Sequence, residues 1–364
     1  MEYRKLPRGE EQISILGLGA SSIGMAGEKE IQATAELALE NGVNFFDMAS
    51  SDAAPFAAYG RAMAGARGKV YFQIHFGADY RSGKYGWTTD LDAIKQSVDW
   101  QLKALQTDYI DFGFLHCLDE EADLRRAVDG GVLDYIRQLQ RQGVVRHMGL
   151  SSHTPGVVNR VLDLGVIDLL MFSINPGYDY HHGDYAIGGA GERMDLYRRC
   201  EKERVGISVM KAFSGGQLLS AKTSPFGRAL TEYQCIQYAL DKPGVLTVLP
   251  GVRNRDDLRR ILGFLIASPE ERDYAVLGTF TPKDAAGICV YCNHCQPCPA
   301  GLDVGLINKY YDLSRAGDAL ARDHYEQLEK HAEDCVKCGH CDSRCPFHVV
   351  QTDRMEEIRA YFGR

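Results

Sequence analysis

Eight cysteines crowd into the last quarter of the chain in two runs, Cys289-x-x-Cys292-x-x-Cys295-x-x-Cys298-Pro299 and Cys335-x-x-Cys338-x-x-Cys341-x-x-x-Cys345-Pro346. Thiolates at this density are soft metal ligands. A tight loop with a cysteine every third residue wraps three thiolates around three corners of an iron–sulfur cubane. The fourth, after a turn that proline fixes, points away. Zinc held by four cysteines is the alternative. Zinc ribbons, however, pair two Cys-x-x-Cys knuckles per metal and leave the third cysteine and the Cys-Pro corner without a use. A disulfide framework fits poorly, because the chain is large and its opening residues lack the apolar stretch of a signal peptide. The other three of the eleven cysteines, Cys117, Cys200 and Cys235, have no partner at motif spacing and read as bystanders.

The two runs resemble those of bacterial two-cluster ferredoxins, in which the fourth cysteine ligates the other cluster. The resemblance implies two [4Fe-4S] clusters, one on Cys289, Cys292, Cys295 and Cys345, the other on Cys335, Cys338, Cys341 and Cys298. The first run departs from the pattern by having two residues, not three, before its fourth cysteine. Electrons then travel singly.

A second set of reactive types, Asp47, Asp52, His75 and His116, is scattered in sequence and needs a scaffold to bring it together. Residues 13–267 supply one. Eight short apolar runs (Ile13–Leu18, Val43–Asp47, Val70–His75, Ile110–His116, Val145–Leu150, Ile167–Ile174, Gly206–Met210 and Leu246–Leu249) alternate with amphipathic helical stretches. Such alternation implies parallel strands joined by crossovers, and eight near-regular units favour closure into a (β/α)8 TIM barrel over an open sheet. The expected organisation is a barrel over residues 1–280 and a ferredoxin-like iron–sulfur domain over 281–364. Between the cysteine runs lies a charged, helical segment, Leu306–Lys330, and a last helix covers Arg354–Phe362.

The four residues end or follow the second, third and fourth strands, so they should meet at the barrel's C-terminal mouth. Three readings are open: a carboxylate–imidazole acid/base pair, a site where two histidines and a carboxylate bind a divalent metal, or polar filling of an inactive barrel. Aromatic and histidine residues stud the loops around this mouth: Tyr80, Tyr85 and Trp87 after the third strand, and Tyr178, Tyr180, His181 and His182 after the sixth. They suit a planar ligand and packing against the cysteine domain equally.

Bulk properties exclude other classes. The formal charge is −8, which argues against nucleic acid as a partner. No apolar run is long enough to span a bilayer, so no membrane role is expected, and the cytoplasm is the expected location.

The stretches "YRKLPRGEEQISILGLGASSIG", "NGVNFFDMAS", "TDYIDFGFLHC", "VVRHMGLSS", "GISVMKAFSGG" and "LTVLPGVRNRDDL" resemble, in order, the landmarks of the aldo-keto reductase superfamily. With the cysteine domain, the chain is similar to the branch that carries a C-terminal two-cluster ferredoxin domain. The resemblance implies a catalytic aspartate, tyrosine, lysine and histidine acting with NADPH. Asp47 and His116 match two of these. Asp52 stands where the tyrosine belongs, His75 where the lysine belongs, and Tyr59 aligns with a helix position. The nicotinamide contacts implied are Ser151, Ser152 and Lys211, with Arg253 and Asn254 as a phosphate site. Ser173 replaces a glutamine, and Arg260-Ile261 replaces an adenine-holding pair. Tyr80 and Tyr178 are candidates for the missing phenol.

Hydride from NADPH needs no iron–sulfur cluster, since both electrons move together. The expectation is therefore an oxidoreductase of an anaerobe, fed by ferredoxin or another redox protein. It would pass single electrons to a small organic substrate, or to a bound flavin, at the barrel mouth, with Asp47, Asp52, His75 and His116 managing protons. The alternatives are an NAD(P)H-dependent carbonyl reductase with a substitute proton donor, a non-catalytic electron-transfer subunit, and a radical-type dehydration or isomerisation that recycles its electrons.

Overall fold

The computed structural model describes residues 1–179, 187–274, 276–277, 287, 289, 295–315, 319–345 and 348–364. Cys292, Tyr180, His181, His182, Pro346 and the domain junction near residue 280 lie outside the described residues.

Eight parallel strands form one sheet: β1 (Leu18–Gly19), β2 (Phe45–Asp47), β3 (Tyr71–Phe76), β4 (Ile110–Leu115), β5 (Val145–Ser152), β6 (Leu169–Ser173), β7 (Gly206–Met210) and β8 (Val245–Val248). Each pairs with its neighbour in chain order. A parallel bridge between Leu16 and Val248 joins the last strand to the first, closing the barrel. The closure is tight, because a Cβ on Gly17 would lie 2.7 Å from a Leu249 methyl. A short antiparallel hairpin, Tyr3–Lys5 with Gln12–Ser14, precedes the barrel, and Arg4 on it hydrogen-bonds the carbonyls of Leu240 and Val245. The first apolar run thus divides between this hairpin and β1.

Alternation along the strands sorts inside from outside. In β3, Phe72, Ile74 and Phe76 pack outward against the helices, while Gln73 and His75 point into the barrel. Phe45, Phe112, Phe114, Leu169, Met171 and Leu246 fill the interior around them. Gly149 on β5 leaves room for the Phe114 ring, which a Cβ there would meet at 2.4 Å.

The helical stretches fall where the periodicity puts them, for example Glu28–Glu40, Leu91–Leu105 and Val132–Arg141. A helix at Glu121–Asp129, which the pattern did not suggest, follows β4. The single helical segment expected between the cysteine runs is two helices, Val304–Arg315 and Ala319–Glu326, and the last helix starts earlier, at Gln351. These form their own small core with Leu302, Ile307, Tyr325, Met355 and Ile358, into which Cys295 and Cys341 are buried. Among the described residues, no helix is long and apolar enough to cross a membrane.

Candidate active site and iron–sulfur region

Three of the four scattered residues meet. Asp47 ends β2, His75 lies near the end of β3, and His116 follows β4. All three are buried, His75 completely. His75 Nε2 is 2.7 Å from Asp47 Oδ1, and His75 Nδ1 is 2.9 Å from His116 Nδ1. Asp52 stands apart from them. It follows β2 in a partly exposed turn and pairs with Lys84 at 2.5 Å, and that hydrogen bond holds its carboxyl below the usual range.

Two further residues complete the group. Gln73 donates through Nε2 to Asp47 Oδ1 at 2.7 Å, while its carbonyl accepts from the Ser208 hydroxyl at 3.0 Å, which fixes the amide's orientation. The Tyr85 hydroxyl lies 3.0 Å from His116 Nε2 and 3.3 Å from His324 Nε2. His324 belongs to helix Ala319–Glu326 of the C-terminal domain. The phenol at this site is therefore Tyr85, not Tyr80 or Tyr178. The Tyr80 hydroxyl is engaged by the Ser50 N–H at 2.9 Å, and Tyr178 packs against Cys289. Tyr59 is buried within helix Ala54–Met63, edge-on to Phe46.

The polarity of this chain follows from its ends. An ionised Asp47 accepts the His75 Nε2–H, leaving His75 Nδ1 as an acceptor. His116 then donates from Nδ1 and accepts at Nε2 from the Tyr85 hydroxyl, whose oxygen accepts from His324 Nε2–H. Burial, with the neighbouring His75 and His324, pushes His116 well below the ordinary histidine value, consistent with a neutral ring. Burial likewise drives the Tyr85 hydroxyl up, so it stays protonated.

A second polar cluster adjoins the first. Asp119 accepts from the His153 backbone N–H at 2.5 Å, from His153 Nδ1 at 2.8 Å and from the Ser152 hydroxyl at 3.1 Å. Tyr310 of the C-terminal domain donates to it at 3.4 Å. Burial alone would raise this carboxyl, but His153 and the buried Lys309 hold it well below the usual range. Burial pushes His153 down to about 4 and Lys309 down to about 7. Cys117 is no bystander: its sulfur lies 3.4 Å from His324 Nε2 and 3.7 Å from Asp119 Oδ2, and burial raises its thiol. Cys200 and Cys235 are buried on helices, and burial pushes each thiol up to about 12.

The nicotinamide-site residues are spread out. Ser151 and Ser152 are buried at the end of β5, the latter held by Asp119. Lys211 follows β7 with a positive φ of 58°, near enough to act electrostatically on Cys117 and Lys309. Ser173 gives its carbonyl to Arg193, whose side chain is fully buried against Asp179. Arg253 is turned to Asp257, and Asn254 caps helix Arg255–Leu262. Arg260 pairs with Glu232 and Asp257, and Ile261 is core.

The cysteines fit thiolate-bound clusters. None of the described cysteines is in a disulfide. Gln351 Nε2 donates to Cys289 Sγ at 3.7 Å and the Val349 N–H donates to Cys345 Sγ at 3.4 Å, the kind of N–H···S contact that steadies a cluster's charge. Cys289 and Cys345 pack toward the barrel's core, whereas Cys298 and Cys335 pack on the small domain's own core. Left-handed backbone at Lys337 and Gly339 lets the second run curl.

Comparison with known proteins agrees with this architecture. Residues 15–229 match the aldo/keto reductase family and residues 285–349 match a 4Fe-4S dicluster domain. The chain belongs to the aldo/keto reductase family. More narrowly, it is an aldo-keto reductase-like oxidoreductase with a C-terminal 4Fe-4S dicluster domain. An uncharacterized oxidoreductase, YqkF, of Bacillus subtilis is 26% identical over 281 residues, covering 71% of this chain and 89% of the relative. Protein tas of Escherichia coli is 27% identical over 263 residues, covering 64% and 71%. The holo form of aldo-keto reductase AKR11C1 from Bacillus halodurans superposes with a TM-score of 0.60 at 23% identity, over 75% of this chain and 94% of that one. The third shares the fold.

Proposed function

We propose that the protein reduces a small organic substrate, such as a carbonyl compound, with single electrons received through two [4Fe-4S] clusters. On this reading Asp47, His75 and His116 manage the protons in place of the family's tyrosine–lysine pair. The observation that carries it is the unbroken hydrogen-bonded chain Asp47–His75–His116–Tyr85–His324, which links the barrel interior to the cluster-bearing domain.

When bound, the clusters supply electrons one at a time. Reducing a carbonyl to an alcohol takes two electrons and two protons, so every electron needs a proton. As His324 takes up a proton at Nδ1, its Nε2 proton passes to the Tyr85 oxygen and the Tyr85 hydroxyl passes its own to His116 Nε2. His116 then releases its Nδ1 proton to His75, and the imidazolium so formed, stabilised by Asp47, gives one proton to the substrate for each electron the substrate receives. Gln73 holds Asp47 in register. Electrons have their own route: Cys289 touches Tyr178 at the barrel, while Cys338 is exposed at the domain's outer side, where a ferredoxin or similar redox protein would dock. Such a role suits an anaerobic cytoplasm.

NAD(P)H use is less well supported, because Asp119, Tyr310 and Lys309 crowd the end of β5 around Ser152. A surface hollow of about 770 Å3, lined by Arg67, Leu102 and Lys103, opens at the barrel's opposite end, where the strands begin.

The test uses protein purified and assayed without oxygen. Reduced clusters should be reoxidised by substrate, with a solvent deuterium isotope effect on that step. Turnover unchanged after complete cluster removal, or tight NADPH binding with turnover, would sink the proposal.

A further inference from the structure

Cys117, Asp119 and His153 bring one sulfur, one carboxylate and one imidazole together at the ends of β4 and β5, beside the dicluster domain. The geometry points to a mononuclear zinc-class metal site there, distinct from the iron–sulfur clusters, with its fourth position left to water. The sulfur, carboxylate oxygen and imidazole nitrogen of Cys117, Asp119 and His153 all lie within 4.8 Å of one another. His324 Nε2, 3.4 Å from the Cys117 sulfur, flanks the group without joining it.

Tetrahedral zinc, with Zn–S near 2.3 Å and Zn–N or Zn–O near 2.0–2.1 Å, places a sulfur and a nitrogen or oxygen ligand about 3.6 Å apart. The separation of Cys117 Sγ from Asp119 Oδ2, 3.7 Å, matches that value. The His153 Nδ1–Asp119 Oδ2 contact, 2.8 Å, is a hydrogen bond that must open by roughly half an ångström for both to ligate. The mixed soft and borderline donor set suits Zn2+ rather than Mg2+ or Ca2+.

Two further observations point to a ligand. Cys117 holds a left-handed backbone with φ 50°, a strained conformation for a non-glycine residue that turns its thiol toward the interface. A cleft of about 50 Å3, lined by Cys117, Asp119, Tyr310, His324 and Trp87, leads to the group and is large enough for a hydrated ion's passage but not for an organic substrate.

All three ligands come from the segments that follow β4 and β5, so the site belongs to the barrel and lies where the C-terminal domain covers it through Tyr310 and His324.

The experiment adds one equivalent of Zn2+ to anaerobically purified protein with intact clusters, followed by removal of loose metal and zinc K-edge X-ray absorption. One sulfur neighbour near 2.3 Å with three nitrogen or oxygen neighbours near 2.0–2.1 Å is expected. Cys117→Ser and His153→Gln should each weaken zinc retention at least about ten-fold while the cluster absorbance is unchanged. An all-sulfur zinc environment, which would mean zinc in the cluster cysteines, overturns the assignment. So does failure of the wild-type protein to retain zinc, or retention that neither substitution alters. Because the absorption spectrum is read on the wild-type chain, the test does not depend on either variant folding.

Discussion

His324, on a helix of the dicluster domain, lies 3.3 Å through Nε2 from the hydroxyl of Tyr85, on the loop after the third barrel strand. The residues are far apart in sequence, yet this contact makes the barrel's buried Asp47–His75–His116 group continuous, through hydrogen bonds, with the dicluster domain.

Replacing Tyr85 with phenylalanine removes the central hydroxyl and little volume. Substrate-dependent cluster reoxidation should slow by about 100-fold, in the range of a lost proton-transfer group, with iron content unchanged. Stopped-flow absorbance of pre-reduced protein measures it.

His75 has a structural duty as well. His75→Gln leaves the buried Asp47 without its imidazole partner and should cost about 3 kcal/mol of stability. His75→Lys places a cation beside Asp47 and should recover most of that loss without restoring the relay, since an ammonium has no acceptor for the His116 Nδ1 proton. Denaturant midpoints and single-turnover rates on the two variants separate the roles.

Cross-ligation of the clusters predicts an unusual pairing of phenotypes. Cys345→Ser and Cys289→Ser should perturb the same electron paramagnetic resonance signal, although they sit in different runs. Cys298→Ser should perturb the other. If Cys345→Ser instead shares its signal with Cys335→Ser, each run holds its own cluster.

At the barrel's opposite end, His147 bridges Glu11 at 3.0 Å and Asp168 at 3.1 Å. Burial alone would lower His147, but the hydrogen bonds it donates to Asp168 and Glu11 raise it above its unfolded value of 6.5. For Glu11, burial opposes and His147 prevails, lowering it below 4.5. A raised histidine stabilises fully below 6.5, and that contribution is lost as pH climbs through the folded value. A lowered carboxyl stabilises above 4.5, and that contribution is lost as pH falls through its folded value. The bridge should therefore contribute most between the two, and His147→Gln should flatten the alkaline limb of a urea-midpoint-against-pH curve.

The barrel was legible because strand and helix periodicities repeat, and the cysteine runs because their spacing is set by a cubane's dimensions. Asp47, His75 and His116 were legible as strand-end residues. Gln73 was missed, although its place two residues before His75 puts it on the same inward face. Asp52 sits where a homologous tyrosine would, but a local Lys84 pair takes it out of the group. Tyr85 was visible only as one aromatic among several, because which ring turns inward depends on how the loop folds. Cys117, Asp119, His153, Lys309 and His324 could not be grouped from sequence, since their proximity depends on how two domains dock.

The helices that bear Lys309, Tyr310 and His324 lie between the two cysteine runs, so both ends of this covering segment are pinned where the metal clusters bind. Releasing the pins returns loop-closure entropy to the segment between Cys298 and Cys335, of order 3 kcal/mol. Oxidative loss of the clusters would then do more than stop electron flow. It would unseal the barrel, flooding the Asp47–His75–His116 group with water, so that an oxygen-damaged molecule fails open and hydrated rather than idle and intact.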